Sequence, residues 1–168
     1  MARQKDFFKK LPTAKAGEGG SHFAPDHHFK IAIVKCVDKD GRDDDYFIVE
    51  GRVLESDCPK QQEGYCASQV VKLSRDTAAG NVANFLRAAY GVFSTDPENG
   101  LDPLDPEDDD DWEDLGEMYN VACGEDNVLS NIEVYLKTTG IITDKGKGHP
   151  FTVHKWSMDR PDSWPEDE

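Results

Sequence analysis

No run of apolar residues in this 168-residue chain approaches the ~18 that cross a membrane. The basic opening MARQKDFFKKLPTAKAGEGG lacks the apolar stretch of a secretory signal. The four cysteines, Cys36, Cys58, Cys66 and Cys123, form no CxxC and show no metal-ligand spacing, which fits a reduced cytoplasmic protein. GxSxG, P-loop, HExxH and dinucleotide fingerprints are all missing, so neither an enzyme nor a cofactor is expected. The five histidines (His22, His27, His28, His149, His154) supply no ligand pair at helical spacing, and no metal site is expected. The run Asp108–Asp111 has neither the spaced ligands nor the glycine of a calcium loop. A nuclease would hold its metals with separated carboxylates on rigid elements, and a contiguous Asp run does not do that.

Basic residues are also scarce, 19 against 34 acids, for a formal net charge of −15. The imbalance is local. Thr95 to Glu117 holds twelve acids and no base, and Met158 to Glu168 holds five acids and one base. Without these stretches the body nets +1, and the first 35 residues carry seven bases against three acids. Blocks of like charge behave as solvated interaction segments. The organisation expected is a flexible basic arm over 1–22, a domain over 23–157 with an acidic insertion at 95–117, and an acidic tail over 158–168.

Periodicity supplies the elements. FKIAIVKCVDK alternates Phe29, Ile31, Ile33 and Val37 against Ala32, Val34 and Cys36, apolar on both faces at its centre like a barrel strand. Asp40-Gly41 is a hairpin signal. In YFIVEGRVLES, Phe47, Val49, Gly51 and Val53 point one way and Tyr46, Ile48, Glu50 and Arg52 the other; Gly51 suggests a bulge or a corner. YCASQVVKLS is a third strand. Val82, Phe85, Leu86 and Ala89 then recur at helical spacing behind a cap at Asp76 or Thr77, predicting a helix that ends at Gly91. Trp112, Leu115, Tyr119 and Ala122 predict a second helix inside the acidic insertion. Two more strands follow, with Ile132, Val134 and Leu136 inward, Tyr135 and Lys137 outward, and Phe151 and Val153 as core positions of the last. Five short antiparallel strands with a helix between the third and fourth predict a mainly β, five-stranded OB-type barrel carrying an acidic, helix-containing insertion.

FKIAIVKCVDK, YFIVEGRVLES and the closing TTGIITDKGKGHPFTVHKW together make the chain resemble the OB-fold single-stranded-DNA-binding proteins encoded by bacteriophages. The resemblance spans roughly Phe23 to Trp156, interrupted by the acidic insertion. It implies sequence-nonspecific binding of single-stranded DNA during phage replication or recombination, in the host-cell cytoplasm. It also implies replication or recombination proteins as partners, recruited through an acidic tail. The ending PEDE departs from the terminal Pro-Phe that many bacterial single-strand binders use for partners. A homo-oligomer stays open.

Single-strand binders combine a cationic groove with aromatic faces on which bases stack, each stack worth ~1–3 kcal/mol. The outward strand faces offer Tyr46 with Arg52, Lys72 with Arg75, and Tyr135 with Lys137, while Lys145 and Lys147 occupy the last hairpin turn. Trp156, after Lys155, is either a stacking platform or a cover for a barrel end. Scattered Lys and Tyr also decorate any solvated exterior; the recurrence of aromatic with base on separate strands carries the expectation. In the tail, Asp162, Trp164, Glu166, Asp167 and Glu168 are the candidate partner-binding residues. The competing expectation is an acidic interaction module that mimics DNA and occupies a DNA-binding protein.

Overall fold

The computed structural model describes residues 22–42, 44–142 and 150–164. The arm before His22, the turn holding Lys145 and Lys147, and the last residues Glu166, Asp167 and Glu168 lie outside them. Five strands, β1 (His28–Asp40), β2 (Asp45–Ser56), β3 (Cys66–Lys72), β4 (Glu133–Ile142) and β5 (Pro150–Ser157), form one antiparallel sheet in the order β3-β2-β1-β4-β5. Two helices, α1 (Ala78–Ser94) and α2 (Leu115–Ala122), fall between β3 and β4. The sheet is open. Among the described residues no backbone ladder joins its edge strands β3 and β5.

The open seam is filled by side chains. Trp156 on β5 donates its indole N–H to Gln69 Oε1 on β3 at 2.7 Å, and both residues are buried. Asn84 on α1 accepts from the Trp156 amide at 2.7 Å and donates to the Trp156 carbonyl at 3.2 Å, so one side-chain amide satisfies both outward backbone groups of an edge residue. Phe23 plugs the space beneath, its ring against Phe29, His154 and Trp156. Buried Gln61 ties this lead-in down by accepting from the Ala24 amide and donating to the His22 carbonyl, each at 2.8 Å.

Alternation in β2 follows the sequence pattern, with Phe47, Val49, Gly51 and Val53 buried. Gly51 is required by close approach, because a Cβ there would lie 2.4 Å from Ile31 Cγ2. On β1 the expected alternation fails midway. The register slips between Ile33 and Lys35, which leaves Val34 42% exposed and turns Cys36 inward and Val37 outward. β5 also reverses expectation: buried Trp156 fixes its inner face, so Val153 lies on the outer face with Lys155.

Helix α1 runs one turn further than predicted, to Ser94, and Gly91 is an interior position. Met158 explains the glycine, since a Cβ at Gly91 would meet the Met158 sulfur at 2.4 Å. The helix drives Phe85 and Leu86 into the core, where Phe85 meets Phe47 and the edge of Trp156. The acidic insertion is folded onto α1 through Trp112, which is buried and donates to the Asp105 carbonyl at 2.7 Å. Arg87 of α1 lies over the Trp112 ring and pairs with Asp109 at 3.0 Å. Most of the insertion's acids face solvent, several closing turns of their own by accepting a nearby amide, as Asp96 does from Glu98 and Asp108 from Asp110.

Candidate nucleic-acid interface

Pairing register assigns the outer face of the sheet row by row. Lys72, Tyr46 and Lys39 stand side by side across β3, β2 and β1; the next row is Val70, Ile48 and Val37. Arg52 lies farther along the same face of β2. The result is an apolar stripe on the solvent side, with Lys72 and Lys39 along one border and Lys35, Glu50 and Ser68 along the other; strict alternation would have put polar side chains in its place. Lys72 reaches Asp44 at 3.7 Å, and the Ser74 hydroxyl also bonds that carboxylate. The Ser74 hydrogen bond holds the Asp44 carboxyl below its ordinary value against the opposing effect of desolvation, with the Asp45 amide and the Lys72 charge adding to the lowering. Arg52 and Arg75 are exposed and form no ion pair with a described residue.

At the β3 edge this face turns into a cleft of about 470 Å³ that follows the open seam. Tyr46, Lys72 and Arg75 line one side, Asn81 at the start of α1 another, and Thr152 with His154 on β5 the third. His154 Nε2 is buried and has no hydrogen-bond partner among the described residues. Burial, reinforced by His22, pushes the His154 imidazole down to about 4, against a backbone hydrogen bond with Thr152 that favours the charged form. At neutral pH the cleft therefore offers a neutral imidazole beside two cations.

Tyr135 and Lys137 share the outer face of β4, as the alternation predicts, but on the opposite half of the sheet from Tyr46. The part of this half around Tyr135 and His28 is covered, while Thr139, Ile141 and Lys155 remain exposed. The segment after β5 folds back, and Trp164 stacks on His28 with ring centroids 5.7 Å apart and planes 15° apart. Its edge meets Tyr135 at 6.3 Å, while the Arg160 guanidinium sits 4.0 Å from its ring and pairs with Glu55 at 3.1 Å. Ser163 Oγ lies 2.8 Å from His28 Nε2. Asp57 anchors this arrangement from beneath, bonding the His28 amide and both the His27 and His28 rings. Partial burial alone would raise the Asp57 carboxyl; the bonds from His28 and His27 outweigh it and hold the group below its ordinary value.

Two candidate residues need correction. Trp156 is 2% exposed and belongs to the core, because its indole is spent on Gln69 and Phe85. It offers no face to a base. Trp164 is 7% exposed and docked on the chain's own sheet, so it is not displayed to a partner, whereas Asp162 is exposed. Sequence reasoning missed the lead-in residues His22 and Phe23, the histidine pair at β1, and His154. Only the adjacency of His27 and His28 to a strand start gave a signal for any of them.

Burial pushes the Cys36 thiol up to about 12, with Cys123 adding to it, and the Cys123 thiol up to about 11, so neither is a ready nucleophile at neutral pH. Among the described residues no group of three or more His, Cys, Asp or Glu side chains is arranged to hold a metal ion. No helix among them is long and apolar enough to cross a membrane. Neither a protein-family model nor a curated protein matches the sequence.

Proposed function

We propose that this chain binds single-stranded DNA without sequence preference, in the service of phage-type replication or recombination. The observation that carries the reading is the outer row Lys72–Tyr46–Lys39 opening into the seam cleft beside Arg75, which pairs with no acid among the described residues. A flat aromatic bordered by cations is what a base and its phosphate require. Five antiparallel strands with helices between the third and fourth is the element order of an OB-type barrel, and a seam between β3 and β5 fits the partly open form of that fold. The test is anisotropy of labelled oligo-dT at low salt. Tyr46→Ala should weaken binding by ~1–3 kcal/mol, about 5- to 150-fold, without changing thermal stability. Unchanged affinity for a folded Tyr46→Ala protein would remove this row from the interface.

One observation favours a second reading, in which the chain is an acidic module that occupies a DNA-binding protein. The acids of 95–117 ride on a segment anchored to α1 through Trp112 and Arg87 rather than on a loose tether. A chain that ignores oligo-dT at low salt but competes with DNA for a nucleic-acid-binding protein would follow this second reading.

A further inference from the structure

Helix α1 and the acidic insertion enclose an apolar groove of about 380 Å³ that no strand residue lines. Its floor is Phe93, Leu104 and Met118, and its lips are Leu101 and Val121, 41% and 44% exposed. Asp111, Asp114 and Glu117 stand around it, and no base among the described residues lines it. A contiguous apolar surface rimmed by charged side chains is the kind that marks an interaction site. The occupant must be apolar at its centre and cationic at its border.

The chain carries one such segment. Lys5-Asp6-Phe7-Phe8-Lys9-Lys10-Leu11 sets three lysines around two phenylalanines and a leucine, and Phe7, Phe8 and Leu11 have the spacing that brings three side chains to one side of a helical turn. We propose that the groove between α1 and the acidic insertion is the docking site for residues 5–11 of the same chain. Phe7, Phe8 and Leu11 cover its floor, and Lys5, Lys9 and Lys10 face Asp111, Asp114 and Glu117.

Two arguments favour the chain's own arm over a foreign peptide. The ten residues between Leu11 and His22, eleven Cα–Cα steps, extend to about 37 Å, comparable with the span of a domain whose radius of gyration is about 15 Å. A tether of that length holds the segment at roughly millimolar effective concentration, which a separate peptide at micromolar level does not match. The docked arm also offsets charge where the molecule is most acidic, since its lysines lie against a segment with twelve acids and no base. This inference does not rest on DNA binding.

The test uses the full-length chain with Phe7→p-benzoylphenylalanine, irradiated at low concentration and digested for mass spectrometry. The expected product is an intrachain crosslink to peptides holding Phe93, Leu101 or Val121. Its yield should fall at least threefold between about 50 and 500 mM salt, as the charged border is screened. Val121→Lys should reduce it at least as much; if that variant does not fold, Asp114→Lys with Glu117→Lys replaces it. A crosslink between two chains overturns the assignment in favour of a second copy. Crosslinks to the sheet, or none to the groove, overturn it outright.

Discussion

Gln69 on β3 and Trp156 on β5 meet across the open seam, the indole N–H donating to the glutamine oxygen at 2.7 Å with both side chains out of water. This single bond stands where a closed barrel would have a backbone ladder. The same Gln69 lines the cleft, so the bond closes one of its walls.

Trp156→Ala should therefore cost stability rather than binding. Removing a buried tryptophan costs about 3–5 kcal/mol, and the freed Gln69 amide adds to the loss. Trp156→Phe keeps most of the packing and should cost less. Urea unfolding measures both, and oligo-dT affinity of the folded fraction should not change. A Trp156→Ala protein of native stability would contradict the core assignment.

Asn84 is the second support of the same strand. Asn84→Leu strands an N–H and a C=O of Trp156, at about 1–3 kcal/mol for each group left unsatisfied. Asn84→Asp still accepts from the N–H but cannot donate to the carbonyl, so its midpoint should fall between wild type and Asn84→Leu. Equal midpoints for the two variants would mean that the paired contact to β5 contributes nothing.

His154 gives the stability curve a definite slope. In the unfolded chain it takes a proton near its ordinary value of 6.5; in the folded protein it stays neutral down to about 4. Between those values the unfolded state binds more protons, so stability falls as the pH drops, by at most about 3 kcal/mol. Asp57 acts lower. Its depressed value contributes stability above the ordinary carboxylate value of 3.8, lost as the pH falls through the folded value. Unfolding free energies at pH 7, 5.5 and 4.5 should converge on a shallower line for His154→Phe. Parallel lines for the two proteins would show that His154 titrates normally.

The docked tail predicts a gain of binding from a loss of contact. Trp164→Ala frees Tyr135 and His28, and under the proposed function oligo-dT affinity should rise about fivefold at low salt, corresponding to roughly 1 kcal/mol for a competing aromatic and cation contact. Anisotropy at low ionic strength measures it. Unchanged or weaker binding would mean that this half of the sheet is covered permanently and takes no part.

The strands and helices were legible because each carries its own period: β2 alternates cleanly, and Val82, Phe85, Leu86 and Ala89 repeat at helical spacing. What was hidden depends on contacts between distant segments. The bulge at Val34 reverses Cys36 and Val37, yet nothing local marks it, because both faces of β1 are apolar there. Gly91 reads as a helix end until Met158 arrives to fill its space. Trp156 follows a lysine in a strand, a context that suits a buried or an exposed ring equally; Gln69 and Asn84, 87 and 72 residues away, decide it. Trp164 reads as a solvated tail residue for the same reason, since His28 and Arg160 bracket its ring only in the folded chain.

The salt dependence of binding to oligo-dT, with duplex of the same length as control, decides whether this face of the sheet holds single-stranded DNA. Phosphate contacts from Lys72, Lys39, Arg75 and Arg52 would be about four, and a single strand gives roughly −0.7 per contact, so a log–log slope near −3 is predicted. Lys72→Ala should make the slope shallower by about 0.7, and duplex should bind more weakly than oligo-dT throughout. A flat salt response, equal affinity for duplex, or no binding at low salt would mean that this face does not hold single-stranded DNA.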